Sequence, residues 1–241
     1  VGSEIAAVVI ITVIASCLQT IAGFGFALLA VPTLAVAVDP RTAVIVCTGL
    51  GLSSSGLQAI LERRHTRWPL ARRLLTTAYL AMPVGLIVFV TVSDDVLKVL
   101  LAIGVLGAVV VLVRGVDLSG VRPGFDLGMG ALSGILSTSI GTNGPPLVFG
   151  LRARRLTPTE FRATLASVFV GSGLVTLGLF VVSGRLGADE LRHIAVGLPC
   201  VGVGVTTGRR ISRVLAPERF ERIVIGLLIL AAIAALASAA T

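Results

Sequence analysis

Apolar runs of about twenty residues follow one another along most of the chain, at 41–62, 70–92, 95–113, 158–183, 190–208 and 218–239, with short polar gaps between them. This pattern leaves few folded outcomes. A helix needs about 20 residues at 1.5 Å rise to cross a hydrocarbon core of roughly 30 Å. Backbone groups in lipid find partners only within helices or closed barrels. The 241 residues are 55% apolar and 13% charged, with a mean hydropathy of +1.02. An ordinary soluble domain carries roughly 25% charge, so a water-soluble globular protein is excluded. The length allows about seven or eight crossings and no separate soluble domain. An all-α polytopic membrane protein is expected.

The net charge of +8 could point to a nucleic-acid partner, but its distribution argues otherwise. Arg63, Arg64, Arg67, Arg72 and Arg73 form one group, Arg152, Arg154 and Arg155 a second, and Arg209, Arg210 and Arg213 a third. Each fills a gap between apolar runs, where cytoplasmic loops collect basic residues. Such gaps are too short for a basic face with interleaved stacking aromatics. Cys17, Cys47 and Cys200 stand singly inside apolar runs, without metal-ligand or disulfide spacing. They read as packing residues, and no metal or cofactor is expected. The first apolar stretch begins at Ile5 after Glu4 with no basic segment before it, so it reads as structure and not as a signal peptide.

Two stretches, 5–38 and 125–151, do not fit one crossing each. As a single helix the first would run about 50 Å, and it is interrupted at Gly23-Phe24-Gly25. The second is interrupted at Gly141-Thr142-Asn143-Gly144-Pro145-Pro146. Glycine and proline remove helical preference and backbone donors, so the chain must unwind there. Unwound backbone is tolerated in a membrane only where protein or a watery cavity satisfies it. A pair of broken segments at corresponding places in two halves points to a transporter's binding site.

Sliding the chain on itself by 118 residues brings Gly23 onto Gly141, Leu29 onto Leu147, Pro40 onto Pro158 and Ser54 onto Ser172. The order of breaks, prolines and helices repeats, giving halves 1–116 and 117–241. Placing the Arg63–Arg73 gap in the cytoplasm puts all three basic groups there if each broken stretch is a re-entrant hairpin. Each half is then one hairpin plus three transmembrane helices. An odd number of crossings inverts the second half relative to the first, so the expected fold is an inverted repeat.

The residues Gly23-Phe24-Gly25-Phe26 with Val31-Pro32-Thr33-Leu34, and the segment Ser139 to Leu147, resemble the two repeat signatures of the TauE/SafE sulfite exporter family, also called the toluene sulfonate uptake permease family. The likeness runs over essentially the whole chain. This sequence departs from the commoner pattern in lacking three consecutive glycines in either repeat. The resemblance implies an inner-membrane carrier of sulfite, sulfoacetate or other organosulfonates.

An anion in a membrane needs positive potential and hydrogen-bond donors, which helix N-termini supply. The chain restarts a helix after Gly25 and after Gly144, and Pro145 suits the first turn of such a helix. The candidate substrate site comprises Gln19, Thr20, Gly23, Phe24 and Gly25 at the first break and Gly141, Thr142, Asn143, Gly144 and Pro145 at the second. Ser54 and Ser172 join from the helices that follow, with Ser53 and Ser55 as neighbours. Serine and threonine in membrane helices also bond their own backbone, and Phe24 and Phe26 read as packing as readily as walls. Gly49, Gly51, Gly56, Gly130, Gly134, Gly204 and Gly208 read as close helix contacts.

The acidic residues and both histidines fall at helix ends or in loops, so no proton relay within a span is expected. With no positioned acid, base or metal in the interior, a membrane-embedded enzyme is a minor alternative and an anion channel a second one. The expected partners are a small anion and the lipid bilayer. Cargo, direction, driving force and oligomeric state are open at this point.

Overall fold

A computed structural model describes residues 2–114, 124–152, 154, 156–212 and 226. The helix expected at 218–239 lies outside the described residues except for Gly226, and Arg155 and Arg213 lie outside them too. Nine helices lie within them: α1 Gly2–Ala22, α2 Phe26–Leu34, α3 Pro40–Glu62, α4 Trp68–Thr91, α5 Asp94–Arg114, α6 Phe125–Ser139, α7 Gly144–Arg152, α8 Pro158–Val182 and α9 Ala188–Ile211. A 3-10 turn, Arg63–His65, joins α3 to α4. No strand occurs among the described residues. Gly2–Ala22, Pro40–His65, Trp68–Thr91 and Pro158–Val182 are long and apolar enough to cross a membrane. Both breaks fall where glycine and proline require them, between α1 and α2 and between α6 and α7. The legs are unequal: α1 has 21 residues and α2 only 9.

Local sequence explains how the long helices start. Asp39 caps α3 by accepting from the Thr42 N–H at 2.9 Å, and Pro40 follows in the first turn, where no N–H is needed. At the equivalent place, Thr157 and Glu160 form a reciprocal capping box before α8, again with proline, Pro158, in the first turn. Arg67 also pairs with the Glu160 carboxylate at 2.8 Å, which ties the start of α8 to the chain before α4.

Packing follows two matched seams in which the helices run parallel. On α6, Gly130 lies against Leu74 of α4, Gly134 against the Ala78 backbone, and Gly85 of α4 against the Ile135 carbonyl. Between α1 and α9, Gly204 lies against Val13 and Ser16, and Gly208 against Cys17. Small residues let backbones approach closely, which replaces the absent hydrophobic drive between helices in lipid. Gly49 faces Ile194, and Gly51 faces Phe26. Gly56, expected in a close contact, faces open space. The outward face of α4 carries Leu80, Val84 and Ile87, all exposed, opposite its buried Ala78, Met82 and Gly85. Such a stripe suits lipid.

α3 and α8 run antiparallel at the centre. Glu62 at the end of α3 pairs with Arg162 at the start of α8, 3.7 Å apart, and Thr66 meets Ser167 at 2.9 Å. The start of α3 is tied instead to the end of α4: Arg41 binds Asp94 at 2.6 Å and donates to the Phe89 and Val92 carbonyls. One end of the bundle therefore gathers Arg63, Arg64, Arg67, Arg162 and Arg209. The other gathers Asp39, Asp94, Asp189 and Glu190. Asp126, 1% exposed, is held by a two-pronged contact from Arg154 at 2.9 and 3.0 Å. The start of α6 and the chain just past α7 thus lie side by side.

Candidate functional site

At each break the backbone enters the left-handed region at an equivalent glycine, Gly23 with φ +83° and Gly141 with φ +69°. Gly25, with φ +105°, then caps α2, and it offers no side-chain bond to that helix's first-turn N–H groups. Those groups have no intrahelical partner. Gly25, Phe26, Ala27 and Leu28 border a central cavity, joined from the second break by Gly141, Thr142, Asn143 and Gly144. The two breaks meet there: Phe24 and Phe169 both lie beside Gly144.

The cavity offers about 60 Å³ to the centre of a water-sized sphere. One water needs roughly 10–15 Å³ by that measure, so a small oxyanion fits. Cys47, Thr48, Gly51 and Ser55 line it from the middle of α3, and Phe169 and Gly173 from the middle of α8. Its depth is therefore near the centre of both helices.

The polar side chains form short chains of hydrogen bonds. Gln19 Nε2 donates to Ser55 Oγ at 2.7 Å, leaving Gln19 Oε1 buried without a partner. Asn143 Nδ2 donates to Ser172 Oγ at 2.9 Å, and Ser137 shares a 2.8 Å hydrogen bond with Thr176. The Ser55 hydroxyl accepts from Gln19 and so keeps its own proton for a guest. The lining thus combines amide, hydroxyl and backbone donors with the rings of Phe26 and Phe169. No Asp, Glu, Lys, Arg or His borders the cavity among the described residues. Such a lining can hold a small anion by hydrogen bonds and dipoles while leaving it free to depart, as transport requires.

Of the residues expected from sequence, Gln19, Gly25, Gly141, Thr142, Asn143 and Gly144 border the cavity directly. Ser172 stands behind Asn143, and Phe24 packs beside Gly144. Gly23 makes the turn, and Pro145 lies in the first turn of α7. Ser54 is buried with its hydroxyl unpartnered, while its neighbour Ser55 reaches the cavity. Thr20 bonds its own helix at the Ser16 carbonyl and borders a separate vestibule. Ser53 bonds the Gly49 carbonyl. Cys47, Thr48, Ser137 and Phe169 line the cavity but were not expected there. The offset of 118 pairs Ser137 with Gln19 and Phe169 with Gly51, a signal that could have pointed to both.

A helical, multi-pass membrane protein whose two broken helices meet over a cavity of uncharged donors has the architecture found in membrane transporters. The sequence pattern of the Sulfite exporter TauE/SafE family matches residues 8–235, and the chain belongs to that family. A relative from Cupriavidus necator, the probable sulfite/organosulfonate exporter TauE, is 31% identical over 100 residues. That alignment covers 42% of this chain and 39% of the relative. No solved structure matches the chain.

Proposed function

We propose that this protein is a secondary carrier of small sulfur-containing anions, sulfite or organosulfonates, across the cytoplasmic membrane by alternating access. The observation that carries this reading is the cavity where the uncapped start of α2 and the Asn143 break converge. It supplies donors on several sides and, among the described residues, no fixed negative charge. The family to which the chain belongs, and the name of its Cupriavidus relative, support this substrate class.

The alternation is attributed to two inverted repeats, 1–116 and 117–241. Several features support that division. The seam of α1 with α9 has its counterpart in that of α4 with α6, as exchange of partners about a two-fold axis requires. The equivalent helices α3 and α8 run antiparallel. Each broken hairpin returns towards the end from which it started, the second held closed by Asp126 and Arg154. The arginine-rich end is assigned to the cytoplasm by the bias of basic loops.

Proteoliposomes holding the purified protein should take up labelled sulfite or an alkanesulfonate with saturation and counterflow. Linear flux without counterflow would instead indicate a channel. Thr142→Ala and Asn143→Ala should each reduce uptake about tenfold, the typical effect of one lost hydrogen bond to a charged group. Wild-type rates in both variants would remove the breaks from the binding site.

A further inference from the structure

The arginine-rich end holds a vestibule of about 380 Å³, lined by Thr20, Gln58, Glu62, Arg162, Arg209 and Ser212 among others. It lies one helical turn from the central cavity: Gln19 borders the cavity and Thr20 the vestibule, Ser55 the cavity and Gln58 the vestibule. Arg162 lines the vestibule and reaches the first break. A Cβ on Gly23 would lie 2.8 Å from its Cγ, so its stem covers the turn of the first hairpin. Its guanidinium meets Glu62 only loosely, at 3.7 Å, and Glu62 Oε2 and the side-chain oxygen of Gln58, Oε1, are buried without a partner.

The opposite face differs in kind. Shifting these residues by 118 brings Thr20 onto Thr138, Gln58 onto Thr176, Glu62 onto Phe180 and Arg162 onto Val44. All four of those counterparts are fully buried. The Phe180 ring packs on Phe89 with centroids 4.8 Å apart, and Arg41 fastens the Phe89 carbonyl to α3. The positions that answer to the vestibule are therefore dry and aromatic, and the open pocket at the opposite end, about 320 Å³, is lined mainly by acids, Glu4, Asp39, Asp189 and Glu190, with Arg192.

We infer that this vestibule is a loading site for the oxyanion, in which Arg162 exchanges its ion pair with Glu62 for the incoming anion before passing it to the cavity. The inference rests on the carrier reading above. Arg162 and Arg209 outweigh Glu62, so the vestibule attracts anions from its own side only. Such a site speeds both loading and release at one face and leaves the final gradient unchanged.

The test is sulfite flux in proteoliposomes of known orientation, measured from each face at low and high ionic strength. Arg162→Gln should raise half-saturation at the arginine-rich face about tenfold at low salt and remove most of its salt dependence. Half-saturation at the far face should hold, while the maximal rate from that face falls because release is slowed. Arg162→Lys should recover most of the effect, and Glu62→Gln, which frees Arg162, should lower half-saturation at the arginine-rich face about threefold. An equal rise in half-saturation at both faces, a rise insensitive to salt, or unchanged kinetics in all three variants overturns the loading site and leaves the carrier standing. A wild-type protein that moves neither sulfite nor a sulfonate overturns the carrier reading and the loading site with it.

Discussion

Replacing Gly134 by alanine should destabilise the protein by about 3 kcal/mol or more, at the upper end of what overpacking costs. The reason is the identity of the atoms a methyl group would meet. It would enter the backbone of α4 at Ala78, within 2.7 Å of both its Cα and its carbonyl carbon. A flexible side chain could turn away, but here two helix backbones would have to separate. The separation would also open the Gly130 contact one turn away and the bond from Thr138 to the Met82 carbonyl at 2.7 Å. At about 2–4 °C per kcal/mol for a chain of this size, thermal unfolding in detergent should fall by roughly ten degrees. Gly56→Ala is the matched control, because a methyl there meets nothing within 4 Å. Removing a mid-helix glycine should leave stability unchanged or raise it by up to about 1 kcal/mol. Equal melting of both variants and the wild type would show that the seam does not hold α4 to α6.

The contrast between these glycines also marks how far the sequence could be read. The breaks were legible because their cause is local: Gly23, Gly25 and Gly141 adopt positive φ, and Pro145 and Pro146 lack donors. The starts of α3 and α8 were legible for the same reason, each a cap followed by proline. Contacts made across the bundle were not. Gly56 and Gly134 look alike in a string of letters, and only the neighbouring helix separates them. Ser54 and Ser55 differ by one residue, which on a helix is a rotation of about 100°, and that rotation decides which hydroxyl reaches the cavity. Thr20 and Gln19 are divided in the same way. Nothing in the sequence singles out Arg162, within the run 158–183, until the fold brings Gly23 and Glu62 against it. A shift of 118 residues pairs cavity-lining positions with one another, Gln19 with Ser137 and Gly51 with Phe169.

Asn143→Asp should have the largest effect on transport while leaving the fold in place. The substitution exchanges an amide for a carboxyl of the same shape, and its partner Ser172 can turn its hydroxyl from the Phe169 carbonyl, 3.3 Å away, to donate to the new oxygen. Once ionised, the carboxylate would face a bound anion across a cavity bordered by no cation among the described residues. Two like charges about 4 Å apart at an effective dielectric of 20 repel by roughly 4 kcal/mol, about a thousandfold in affinity. The neutral acid carries no such penalty and can still donate a hydrogen bond. Uptake by the variant should therefore be recovered in acid and lost as the pH rises through the pKa of the introduced carboxyl. The cargo for this test should be an alkanesulfonate, which stays an anion throughout, so that any pH dependence belongs to the protein. Asn143→Ala provides the comparison: it loses the donor without adding charge, and its smaller defect should not vary with pH. A variant that transports equally well at every pH would mean that the anion does not pass Asn143.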